Sequence, residues 1–136
     1  MRSFRIAACI LALWIAPAHS ADRLPRADRI LARAYRLHKT EFEVTFSGTV
    51  VALLPTDRLG DRHQQFLVKL STDQTLLIAH NIDLAPRVPK LRKGSRVRIR
   101  GEYIWSRKGG IVHFTHHDPR GVHPAGWIKF DGKTFQ

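Results

Sequence analysis

Four of the chain's eight histidines fall in one short stretch, as His113, His116, His117 and His123, with Asp118 among them. Imidazole can coordinate a metal, pass a proton near neutral pH or hydrogen-bond an anion. Imidazole with carboxylate suits zinc, manganese or non-haem iron. If residues 113 to 117 were extended, His113 and His117 would share a face ~13 Å apart at ~3.3 Å per residue, and His116 would point the other way. One ion could not take all three. A metal site therefore needs the chain to turn near His117, as Asp118-Pro119 permits, and His123 to fold back after Gly121. The expected ligands are His116 or His117 with Asp118 and His123, completed by His80 or His63 from neighbouring loops. The competing reading is a structural network in which Asp118 fixes an imidazole and His80 caps a strand end.

Other catalytic signatures are missing from the sequence: there is no Gly-x-Ser-x-Gly, no phosphate loop and no His-Glu-x-x-His. Adjacent histidines near a proline also occur in ββα-metal nucleases, but those need a following helix, and here Gly126 and a predicted hairpin follow. Glu41, Glu43 and Glu102 are the only glutamates, so paired-carboxylate hydrolysis has thin support. A second group of residues suits binding. Arg96, Arg98 and Arg100 form a basic row, with Trp105 near the end of the same strand and Arg120 and Trp127 further on. Basic rows with aromatic platforms hold single strands or glycans. The alternative is that the aromatics are core and the arginines only guard an edge strand.

The composition narrows the setting. Arg2 and Arg5 precede an apolar run from Ile6 to Ile15, Pro17 breaks it, and Ala18-His19-Ser20 places small residues before a cut ahead of Ala21. This pattern predicts a secretory signal peptide over residues 1–20, since the run is too short for a permanent membrane span. Export to the periplasm or medium is expected. Cys9, the only cysteine, falls in that leader, so the exported chain has no disulfide, thiolate metal site or cysteine nucleophile. Of the 23 Lys and Arg residues, two fall in the leader, and the rest outnumber the 11 Asp and Glu by about ten. That excess favours anionic partners such as nucleic acid, acidic glycans, lipid headgroups or lipopolysaccharide phosphates.

These groups must be positioned by one small domain. Pro25 to Lys39 reads as a helix with Ala27, Ile30, Leu31, Ala34, Leu37 and His38 on one side and Arg26, Arg29, Arg33 and Arg36 on the other. Such a helix can lie on an anionic membrane, or pack on its own domain and solvate its arginines. From Glu41 the period becomes two. Strands are predicted over 41–54, bent or bulged at Gly48, and then over 65–70, 75–82, 95–105 and 111–116. A loop carrying Pro86 and Pro89 crosses between the third and fourth. A last hairpin, 127–135, turns at Asp131-Gly132, a type I′ signal. The expected fold is mainly β: a helix over 21–40, then a five-stranded antiparallel barrel of the oligonucleotide/oligosaccharide-binding (OB) type over 41–136. An SH3-like barrel would give a similar strand count.

His80-Asn81-Ile82-Asp83-Leu84-Ala85-Pro86-Arg87 and Thr115-His116-His117-Asp118-Pro119-Arg120-Gly121, followed by His123-Pro124 and Gly126-Trp127-Ile128, resemble a family of small exported bacterial proteins carrying a domain of unknown function. The resemblance runs from about Gly48 to Gln136 and implies no particular activity. The sequence reading is an exported binding module for an anionic ligand, with a metal-dependent hydrolase built on residues 113–123 as the alternative.

Overall fold

A computed structural model describes residues 24–136, so the expected signal peptide and Cys9 lie outside the described residues. Helix α1 spans Arg26–Arg36, with Pro25 at its N-cap, where a missing N–H removes no intrahelical bond. Its buried side chains are Asp28, Leu31 and Ala34, whereas Ile30 and Leu37 of the expected apolar side are exposed. Asp28 enters the interface because its Oδ2 accepts the Ser71 amide at 2.8 Å, tying the helix to a turn of the barrel.

Seven strands follow: β1 (Phe42–Leu53), β2 (His63–Lys69), β3 (Thr75–Asn81), β4 (Arg96–Ile104), β5 (Ile111–His113), β6 (Trp127–Phe130) and β7 (Lys133–Phe135). The first five close in the order β1-β2-β3-β5-β4, with β4 returning to β1. This is an OB-like barrel. The β3–β5 pair is parallel and the other pairs are antiparallel, so the barrel is mixed rather than wholly antiparallel. Alternation fills the inside: Val44, Phe46 and Val50 of β1, Phe66 and Val68 of β2, Leu76 and Ile78 of β3, and Val97, Ile99 and Tyr103 of β4 form one core cluster.

β1 pairs β4 from Phe42 to Thr49 and β2 from Thr49 onward. Gly48 stands at that change of partner. A Cβ there would run into Val68 Cγ1 and lie 2.9 Å from the Lys69 carbonyl. Glycine is needed for close approach, and the register slip itself falls later, between Val50 and Ala52.

One edge of β4 is shared by two strands. Arg98 to Arg100 pair with β6, and Glu102 to Ile104 pair with β5. Residues 114–126 leave and return at that junction. β5 was expected to run to His116 but ends at His113, because Phe114 takes φ 51°, outside the strand region of backbone space. The loop closes on itself through the Gly126 amide, which donates to the His116 carbonyl at 3.0 Å. At the far hairpin, Asp131 and Gly132 have φ 50° and 71°, as a type I′ turn requires.

Candidate functional site

Outward residues of β1, β4 and β6 make one continuous face. Register sets Thr49 beside Arg96, Ser47 beside Arg98 and Thr45 beside Arg100. On the other side, Lys129 lies opposite Arg98 and Trp127 opposite Arg100. The three arginines are exposed while Val97, Ile99 and Gly101 between them are buried, so the row predicted from alternation is present. Like charges directly across a ladder repel. Trp127 relieves part of this: Lys129 Nζ lies 4.8 Å and Arg98 Cζ 6.0 Å from its ring centroid, within cation–π range. Arg96 donates to Thr49 Oγ1 at 3.1 Å. Arg100 lies 4.0 Å from Glu43. Among the described residues, neither Arg98 nor Lys129 joins a salt bridge. Ser47, Arg96, Arg98 and Lys129 rim a shallow depression of about 270 Å³.

Beyond Arg100 the face changes character. Glu102 stands next on β4, opposite Glu43 on β1 and opposite His113 on β5. His113 Nε2 is 3.4 Å from Glu102 Oε1. Both carboxylate oxygens of Glu43 are buried without a hydrogen-bond partner. Burial pushes its pKa up; Arg100 opposes this, Glu102 adds to it and His123 opposes it.

The loop above this corner is built on rings. Phe114 lies between His113, at 3.9 Å and 19°, and His123, at 4.0 Å and 6°. His116 meets the stack edge-on, 5.0 Å from His123. Asp118 holds the loop: its carboxylate accepts the amides of Arg120 at 2.9 Å, Val122 at 2.5 Å and His123 at 3.1 Å. Burial would raise its pKa, but these three donors and nearby His123 outweigh it and hold the carboxyl below its ordinary value. His116 is buried, and its Nδ1–H donates to the His117 carbonyl at 2.8 Å. Burial lowers its pKa despite that bond.

His80 lies apart from the loop imidazoles. It is fully buried in β3, with Nε2 3.0 Å from the Pro86 carbonyl and Nδ1 2.8 Å from Thr115 Oγ1. A carbonyl only accepts, so Nε2 carries the proton and Nδ1 accepts from the Thr115 hydroxyl. Burial lowers its pKa to about 4, and the ring is neutral with both nitrogens occupied. It does not cap a strand end; it ties the Pro86 loop to the start of the histidine loop.

The five expected ligands do not all meet. His116, Asp118 and His123 come together, with His123 Nε2 3.8 Å from Asp118 Oδ2 and its ring 5.0 Å from that of His116, but Asp118 spends its oxygens on amides. His80 is in the core and His117 is exposed; His63, the other candidate, lies beside Asp57, 4.0 Å away. Among the described residues, no group of three or more His, Cys, Asp or Glu side chains is placed to hold a metal ion. Of the expected binding residues, Trp127 lies beside the arginine row. Trp105 does not: its ring packs 4.3 Å from His38, and its Nε1–H donates to the Tyr35 carbonyl at 3.0 Å, fastening α1 to the barrel. Arg120 is exposed on the histidine loop. Sequence reasoning missed Lys129, Glu43 and Glu102. Alternation with Trp127 could have found Lys129; nothing local joins Glu43 to Glu102.

The architecture defines a class: an OB-like barrel with a cationic, tryptophan-bearing outer face and a histidine-stacked loop at one end of it. The family described as "Protein of unknown function (DUF3465)" matches residues 11–136, and the chain belongs to that family. A search of curated proteins found no match. Among the described residues, no helix is long and apolar enough to cross a membrane.

Proposed function

We propose that this protein is an exported module that binds an anionic polymer, a single-stranded nucleic acid or an acidic glycan, across the outer face of β1, β4 and β6. The observation that carries this reading is the juxtaposition of Arg98 and Lys129, two cations side by side with no carboxylate partner among the described residues, over the half-buried ring of Trp127. An anion there would relieve the like-charge repulsion. Arg96 and Arg100 extend the cationic row by ~6.6 Å on either side, two strand residues each way, which favours a repeating ligand over a single small one. Ser47 and Thr49 add hydroxyl donors beside it.

The test is titration of fluorescently labelled single-stranded DNA and of a labelled acidic glycan at several salt concentrations, read by anisotropy of the label. Each phosphate contact releases counterions, so replacing Arg96, Arg98 and Arg100 together by Gln should weaken DNA binding and flatten the log–log salt slope by up to about three. Trp127→Ala should cost ~1–3 kcal/mol with little change in slope. If neither ligand binds at low salt, or the triple variant matches wild type, the row is only a solvated face.

Export rests on the leader read from residues 1–20. Mass spectrometry of the periplasmic or secreted protein should find Ala21 first. Recovery of the intact Met1 chain from the membrane fraction would oppose export by cleavage.

A further inference from the structure

Helix α1 presents a second surface that the barrel face does not use. Ile30 is 43% exposed and Leu37 53%. They are seven residues apart, so they lie on one side of the helix two turns from each other. Arg33 sits between them, three residues from one and four from the other, and Arg26 precedes Ile30 by four, so Ile30 and Leu37 lie at the border of the arginine face, beside these arginines rather than on the opposite side that the periodicity predicts. The helix's one acidic residue, Asp28, is buried against the Ser71 amide, so nothing acidic on the helix offsets these arginines at the surface. Ile30 and Leu37, with Ala34 and Phe42, line a groove of about 500 Å³ whose rim carries Arg33 and Lys39.

The occupant must match both chemistries. A nucleic acid or glycan would satisfy the cations but bring no aliphatic surface for Ile30 and Leu37. An apolar peptide would cover the aliphatics and leave the cations unanswered. An anionic phospholipid surface offers phosphates and acyl chains at adjacent depths, the setting that interfacial helices occupy. We propose that α1 and the groove beside it seat the protein on an anionic phospholipid bilayer. Ile30 and Leu37 enter the acyl boundary, and Arg26, Arg33 and Lys39 meet the phosphates, their methylene stems lying along the apolar layer.

Protein expressed with its own leader and purified from the soluble fraction is mixed with vesicles of equimolar phosphatidylglycerol and phosphatidylcholine, and with phosphatidylcholine alone. It should sediment with the first and not with the second. Ile30→Ser combined with Leu37→Ser alters only exposed side chains, so thermal melting should stay close to wild type while vesicle binding falls about tenfold or more. Arg26→Gln combined with Arg33→Gln should weaken binding and reduce its salt dependence. The barrel-face variant lacking Arg96, Arg98 and Arg100 should bind vesicles as wild type does, which separates this proposal from the polymer-binding reading. Equal sedimentation with both vesicle types, full binding by the double serine variant, or loss confined to the barrel-face variant would each overturn it.

Discussion

Glu43 of β1 stands directly opposite Glu102 of β4, and neither oxygen of Glu43 finds a donor although both are buried. Glu102 is turned toward His113, at 3.4 Å, and the nearest cation to Glu43, the Arg100 guanidinium, stays 4.0 Å away. A carboxylate removed from water and set against another carboxylate favours its neutral form. This corner joins the arginine row, through Arg100, to the histidine loop, through His113.

The Glu43 pKa is raised above its ordinary value of 4.5, by burial first. The folded state then holds the proton more tightly than the unfolded chain. The favourable contribution is present below the ordinary value and is lost as pH rises through the raised one. Glu43→Gln keeps the shape without the charge. It should be more stable than wild type at neutral pH, by ~1 kcal/mol if the unpaired buried oxygens carry the cost. The advantage should fade in acid. Thermal melts from pH 3 to 8 would show this, and a constant difference across that range would rule out a charge effect.

His80 works in the opposite sense. Its pKa falls from 6.5 in the unfolded chain to about 4 in the fold, chiefly through burial. The unfolded chain therefore takes up a proton first. Stability should decline as pH falls from about 6.5 toward 4, by on the order of 3 kcal/mol across the window, with His116 adding in the same direction. His80→Gln should be less stable at neutral pH, having lost the Thr115 and Pro86 bonds, but flatter through this window. Urea unfolding at several pH values checks it. An unchanged pH slope in the variant would mean other groups carry the dependence.

Asp118 shapes the histidine loop through three amides. Asp118→Ala should speed hydrogen exchange at Arg120, Val122 and His123 by about an order of magnitude while barrel amides keep their protection. The ring-current shifts that the stacked His113, Phe114 and His123 impose on one another should collapse in the same variant. If exchange and shifts match wild type, the loop is held by ring stacking and Gly126 alone.

Much of this was legible in the residues. Period-two alternation marked β1 and β4 as strands and placed Arg96, Arg98 and Arg100 outward and Val97 and Ile99 inward, because successive side chains in any strand point to opposite faces. Asp131-Gly132 announced its turn because few residue pairs accept positive φ twice. The shift from helical to strand period bounded α1. These are local properties, expressed within a few residues of the chain.

Other features lie between distant residues. Phe114 carries no local signal for positive φ; it adopts φ 51° where the chain leaves the β4 edge and folds back to stack His123. That reversal replaced the extended run in which His113 and His117 would have shared a face. Nothing local joins Glu43 to Glu102; strand register made them neighbours, and register is chosen by how all the strands close around one core. Barrel closure also put His80 inside with Thr115, and Trp105 under the helix instead of beside the arginines. A side chain's face follows from its own backbone, whereas its neighbours follow from packing across the whole chain, and chemistry at this corner depends on the neighbours.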